Sequence, residues 1–217
     1  MRRRAAVVAC ALLAAALACG AALVGGGMLC VTSAARPEDR WEGASPAPGN
    51  EAMLGGALDY VATRPRYRSA YYAGGWPDDG CGTCADVVAH AMLAAGYDLP
   101  ALMAEDVEAA PEAYPAVDVP DPAIDWRRTA NQQAWLDRHA RRLPTELGDP
   151  SAWRGGDVVA FDATGDGVAD HVGIVSDRRG AGGVPYLVHH EGPFQLRYEE
   201  DVLGARADEV CGHWRLA

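Results

Sequence analysis

Cys84 stands at the start of an apolar run in Gly82-Thr83-Cys84-Ala85-Asp86. With Val87, Val88, Met92 and Leu93 at helical spacing and Gly96 suited to a C-terminal stop, the pattern predicts a buried helix over 83–95. A sulfur at a helix N-terminus meets unpaired N–H groups and partial positive charge. These can lower a thiol pKa from about 8.5 into a range of roughly 3.5 to 7.5, and can hold a developing oxyanion. The competing reading of the cysteine alone is a small buried apolar group or half of a disulfide.

A nucleophile needs a base. His171 opens the apolar stretch His171-Val172-Gly173-Ile174-Val175-Ser176, so it falls at a strand end, at the rim of a sheet on which the helix would pack. The next apolar run, Pro185-Tyr186-Leu187-Val188, ends in His189-His190, and the glycine-rich turn over 179–183 implies an antiparallel pair. His189 is then placed to orient the His171 imidazole, although spacing alone does not separate it from His190. His90, His139 and His213 have no comparable setting and read as structural or exposed.

The elements that must position these groups follow from patterning. Asn50 can cap a helix carrying Met53, Leu54, Leu58 and Val61, ended by Pro65. Residues 105–122 are acidic and proline-rich and read as a long surface excursion, and 131–142 reads as an amphipathic helix. From Gly155 the period changes, with strands expected over 157–161, 171–176, 186–189 and 213–216. Helices first and strands later imply an α+β domain with an antiparallel sheet.

Ahead of this domain, Met1-Arg2-Arg3-Arg4 and the apolar residues 5–29 form an export leader over 1–30. Whether it is cleaved, lipidated or kept as a membrane anchor stays open, and it is the only expected membrane contact. Residues 31–49 read as a linker and 50–217 as one domain, expected to act as a monomer. The chain carries a net charge of −11 with 19 basic residues, all arginine, so a polyanion such as nucleic acid is excluded as a partner.

The order of helix-borne cysteine, Gly156-Asp157-Val158-Val159-Ala160-Phe161, His171 to Ser176 and a strand ending in His189 resembles the NlpC-type branch of the papain-like cysteine peptidases. More closely, it resembles a bacterial family known only as domain of unknown function 1287. Tyr71 with Gly74-Gly75-Trp76-Pro77, Cys84 with Asp86, Ile124-Asp125 with Arg127-Arg128 and Asn131, and Pro185-Tyr186 carry that match, which spans Asn50 to the C-terminus. The resemblance implies a papain-like NlpC-type fold, N-terminal helices packed on a C-terminal antiparallel sheet. It also implies Cys84 as nucleophile, His171 as base and acid, and His189 as orienting residue. Tyr71 matches a tyrosine that lies beside the nucleophile and assists the oxyanion. Two positions depart from the family pattern: Ala85 stands where threonine is usual, and His190 where asparagine is. Asp86, Arg127 and Arg128 match the closer family; the arginine pair could bind a peptide carboxylate, or be ion-paired within the fold.

The expected activity is hydrolysis of an amide bond in peptidoglycan peptides through an acyl-enzyme, with no cofactor and no metal. Cys81 is expected to pair with Cys211, leaving Cys84 free. Cys81-Gly82-Thr83-Cys84 also fits a thiol–disulfide oxidoreductase motif, but lacks the surrounding βαβ pattern. A zinc site built from Cys81, Cys84, His171 and His189 lacks a second short-spaced ligand pair. A calcium loop over 162–173 lacks an acidic twelfth ligand, so a polar turn fits better. The remaining alternative is a wall-binding module without activity.

Overall fold

The computed structural model describes residues 48–216, so the expected leader over 1–30 and nearly all of the linker over 31–49 lie outside the described residues. The first element is helix α1 (Pro48–Ala62), followed by α2 (Cys84–Ala94), α3 (Leu99–Ala109) and α4 (Thr129–His139). After a short strand β3 (Arg141–Arg142), strands β4 (Val158–Phe161), β5 (His171–Arg179), β6 (Pro185–Val188), β7 (Glu199–Glu200) and β8 (Val210–Arg215) complete the main sheet. Its order is β3-β8-β4-β5-β6-β7, with every neighbouring pair antiparallel. The strands β1 (Arg66–Tyr67) and β2 (Cys81–Gly82) form a separate parallel ribbon just before α2. The domain is α+β, as the order of elements in the sequence implies. Among the described residues no single helix is long and apolar enough to cross a membrane.

Strand alternation divides the apolar side chains into two layers. Val158, Ala160, Val172, Ile174 and Val188 meet Met53, Val87, Val88 and Met92 on the side of α1 and α2. Val159, Phe161, Val175 and Leu187 meet Trp153 and Leu203 on the other side. Burial on both faces explains why the central strands read as continuous apolar runs rather than alternating ones.

Three expectations about the helices fail for identifiable reasons. The stretch 105–122 is not all loop, because its first residues finish α3. Asp98 caps that helix by accepting from the Ala101 N–H, a proline occupies its first turn, and Leu99, Met103 and Val107 form its buried stripe. Asn50 is not a cap either, since α1 already begins at Pro48. Its Nδ2 instead donates to the Gly155 carbonyl at 3.1 Å and to Asp157 Oδ1 at 3.0 Å, pinning α1 to the head of β4. The same closeness requires glycine at position 156, where φ is +89° and a β-carbon would lie 2.1 Å from the Asn50 carbonyl oxygen. Helix α4 stops at His139 rather than continuing to 142, because Arg141 and Arg142 pair with β8.

Asp157 is the buried charge around which this end of the sheet is built. It accepts from Arg215 Nη2 at 2.6 Å, His213 Nε2 at 3.0 Å and the Arg154 N–H at 2.8 Å. Burial opposes its charge, but the hydrogen bonds from His213 and Arg215 outweigh that penalty and hold its pKa below the ordinary value of 3.8. A carboxyl with a depressed folded-state pKa contributes stability above its unfolded pKa and loses it as pH falls. Urea unfolding should therefore show stability declining below pH about 4 in the native chain. Asp157→Ala should cost about 3–5 kcal/mol at neutral pH by leaving Arg215 and His213 unpaired. A midpoint unchanged by the substitution would contradict this role.

Candidate active site

Thr83 is the N-cap of α2, and Asp86, three residues on, accepts from the Thr83 N–H at 2.7 Å and from its hydroxyl at 3.0 Å. Asp86 also accepts Nε and Nη2 of Arg127 at 3.0 and 2.9 Å, forming a two-pronged pair whose side chains are both buried. Arg127 Nη1 reaches on to the Ala70 carbonyl at 2.6 Å, and its guanidinium lies over the Tyr72 ring. Arg128 donates to the Ala116 carbonyl. Asp86 and Arg127 are thus ion-paired inside the fold, the structural one of the two readings left open, and Arg128 spends a donor on the loop at Ala116. They tie the start of α2 to the loops on either side.

What they hold in place is Cys84, whose side chain is buried. The backbone N–H groups of Val172 and Ala85, together with its own, hydrogen-bond its sulfur. Val172 follows His171 directly, so α2 delivers the thiol to the first residues of β5. His171 is in register with Phe161 of β4, and Ile174 with Val188 of β6. Continuing that register sets Gly173 opposite His189, which makes His171 and His189 diagonal neighbours on one face. Their rings meet nearly at right angles, with His171 Nε2 2.9 Å from His189 Nδ1. With Nε2 engaged, Nδ1 is the nitrogen of His171 left to receive a proton.

By alternation the two imidazoles belong to the face of Phe161, while Cys84 arrives with the helices on the other face. The Val172 N–H reconciles the two placements, because a strand amide points within the plane of the sheet. A sulfur bonded to it sits level with the strands at their rim, one residue from His171.

The electrostatics differ from what a helix N-terminus alone implies. Burial pushes the Cys84 thiol up to about 11, and the N–H groups of Val172 and Ala85 only partly offset it. Burial also pushes His171 down to about 2, helped by the charges of His189, Arg206 and His190, and His189 down to about 4. The resting pair is therefore a neutral thiol and a neutral imidazole.

Two further expectations are corrected. Tyr71 is largely exposed and hydrogen-bonds Asp121 rather than lying against Cys84. The tyrosine that senses the thiol is Tyr67, whose hydroxyl is pushed up by burial and then by Cys84, and whose ring stands edge-on to His190 at 5.3 Å. Sequence spacing could not have found it, because it reaches the site only by pairing with Gly82 across the two-residue ribbon. Gly82 is itself required there, since a β-carbon would lie 1.9 Å from the Tyr60 hydroxyl. Secondly, Cys81, Cys84 and Cys211 are all free thiols, so the expected Cys81–Cys211 bridge is not formed. Cys81 turns to Asp79, through its N–H at 3.1 Å and its sulfur at 3.9 Å. Cys211 lies on β8 among Asp162, Arg142 and Asp170, in separate surroundings.

Among the described residues no group of three or more histidine, cysteine or acidic side chains is placed to hold a metal ion. In the calcium-like stretch, the Asp162 carboxylate accepts the N–H groups of Gly165, Asp166 and Gly167 and so closes a polar turn.

A thiol raised to about 11 makes a kinetic prediction. Alkylation of Cys84 by iodoacetamide should be slow at neutral pH and climb steadily, about tenfold per pH unit, from pH 6 to 10. A fast plateau extending down to pH 5 would instead report a preformed thiolate–imidazolium pair.

Comparison with known proteins assigns the chain to a family. No solved structure matches the chain. An uncharacterised protein of Escherichia coli strain K12, YijF, is 32% identical over 173 residues, covering 78% of this chain and 77% of its own length. Residues 54–216, which include Cys84, His171 and His189, match the model of the family described as domain of unknown function DUF1287, and the chain belongs to that family.

Proposed function

We propose that the protein is an exported cysteine hydrolase that cleaves an amide bond in peptidoglycan peptides, built on a papain-like NlpC-type active site. One observation carries the reading: the sulfur at the tip of α2 lies at the amide of Val172, the residue that follows His171, and the His171 ring is bonded through Nε2 to a second imidazole. On this reading Cys84 serves as nucleophile, His171 as base and His189 as orienting group.

Because thiol and imidazole are both neutral at rest, the chemistry begins with a proton transfer. His171 Nδ1 takes the Cys84 proton as the sulfur attacks the amide carbonyl, and the carbon–sulfur bond forms while the carbonyl electrons move to oxygen. The N–H groups at the start of α2 face the region where that oxyanion develops. Collapse breaks the carbon–nitrogen bond, and His171 returns the proton to the leaving amine. Water, deprotonated by His171, then hydrolyses the thioester and frees the second product.

The apolar leader supports export, and the net charge of −11 disfavours polyanionic substrates. Wall peptides are the substrate class that suits both, together with the NlpC-type resemblance. The chain acts without a cofactor in this scheme, attached to the membrane at most through its N-terminal segment.

Incubation with purified wall fragments should release new amino and carboxyl termini, identified by mass spectrometry. Cys84→Ala should lower turnover at least about 10³-fold while leaving the melting temperature within a few degrees of native. Turnover retained by Cys84→Ala, or no new termini from any wall fragment, would contradict the reading.

A further inference from the structure

The loop between β6 and β7 carries two apolar side chains that the fold leaves in the open. Phe194 is 92% exposed and Leu196 88%, more than any other large apolar side chain among the described residues. The loop that presents them is tied down. Gln195, between the two, accepts from the Glu191 N–H at 2.7 Å and donates to Glu200 Oε2 at 2.9 Å. The Gln195 N–H meets the Gly192 carbonyl at 3.3 Å, and the His189 N–H the Tyr198 carbonyl at 2.9 Å. With the middle side chain pinned to the fold, its two neighbours are held outward.

Tyr198 joins this loop to the basic segment 64–68. Its hydroxyl donates to the Pro65 carbonyl at 2.8 Å, and the His190 ring stands edge-on to both Tyr198 and Tyr67, at 5.0 and 5.3 Å. Arg64, Arg66 and Arg197 are exposed, and among the described residues none of them forms an ion pair; Arg66 reaches only the Asp79 carbonyl, at 3.4 Å. The acidic residues at the ends of the loop are engaged elsewhere. Glu191 pairs with Arg206 at 2.9 Å, Glu199 accepts from Ser176, and Glu200 accepts from Gln195. Two apolar tips therefore adjoin three arginines whose charge is not neutralised within the fold.

Shape and magnitude select the occupant. A peptide or other small ligand is held in a concavity, which side chains this exposed do not form. A stable protein partner needs roughly 800 Å² from each side, about twice what two side chains of roughly 200 Å² each can present. A bilayer needs neither, because apolar tips enter the acyl boundary while guanidinium groups meet lipid phosphates. The net charge of −11 keeps the rest of the domain off an anionic surface, so this face is the one that can approach. Residues 30–47, between the apolar stretch and α1, span about 60 Å at full extension, which keeps the domain within reach of a membrane that retains the leader. We propose that Phe194 and Leu196, flanked by Arg64, Arg66 and Arg197, make a lipid contact that turns the Tyr67 edge of the candidate site toward an anionic bilayer. The N-terminal segment remains the attachment, and the face supplies orientation. This contact does not depend on the hydrolase reading of Cys84.

The full chain reconstituted into vesicles keeps the leader present in every arm of the test. Indole fluorescence of Phe194→Trp, taken as the difference from the native chain, should be quenched by lipids brominated near the headgroup end of the acyl chain in phosphatidylglycerol-containing vesicles. Leu93→Trp, a half-exposed position at the far end of α2 from Cys84, should show no such quenching. The signal of Phe194→Trp should be lost when Arg64, Arg66 and Arg197 are all changed to serine, and on vesicles of phosphatidylcholine alone. No quenching at position 194, equal quenching at position 93, or a signal as strong on phosphatidylcholine would overturn the proposal. An unquenched Phe194→Trp chain that sediments as a dimer would assign the face to a second copy instead and overturn it equally.

Discussion

The structure depends on the contact between the N-terminus of α2 and the first residues of β5. A helix end leaves N–H groups without partners, and so does a strand where its neighbour stops. Because β6 ends at Val188, the Val172 N–H is available, and the Cys84 sulfur accepts from it. Everything around the contact keeps it in register. Asp86 closes the first turn of α2, Arg127 locks Asp86 and reaches Ala70, and Gly82 lets Tyr60 lie against the approach to the helix. At the opposite end, Asn50 and Asp157 fix α1 to the sheet and so set the floor on which α2 rests.

Burial gives this site its character. A helix N-terminus favours a thiolate by a fraction of a charge acting within one turn, whereas full desolvation of a sulfur anion opposes it more strongly. The same burial strips the proton from His171 and His189.

Much of this was legible in the sequence, and the rest was hidden for physical reasons. Cys84 and His171 stand out because each sits at the end of an apolar run, and element ends are marked by periodicity and turns; His189 was singled out from His190 only by the family resemblance. The α+β order followed from the change of period near Gly155. Helix α3 was missed although Asp98, Leu99 and Pro100 form a cap with proline in the first turn, because the acidic composition beyond it masked a stripe of only three buried residues. Tyr67 had no local signal at all: it reaches the site through a two-residue strand whose pairing is purely tertiary. Asp86 and Arg127 were visible as residues but not as partners, since 41 positions separate them. The raised thiol was likewise beyond the sequence, because a cysteine at a helix start looks the same whether or not the fold covers it.

The central claim is that Cys84 carries the acyl group while His171 handles protons. Rapid acid quench of the protein mixed with wall peptides, followed by intact mass and peptide mapping, tests it most directly. The account predicts a transient mass increase equal to the acyl half of the substrate, mapped to Cys84 as a thioester and released by hydroxylamine. An adduct located on Cys81 or Cys211, or product formed with no covalent species at any quench time, would contradict it.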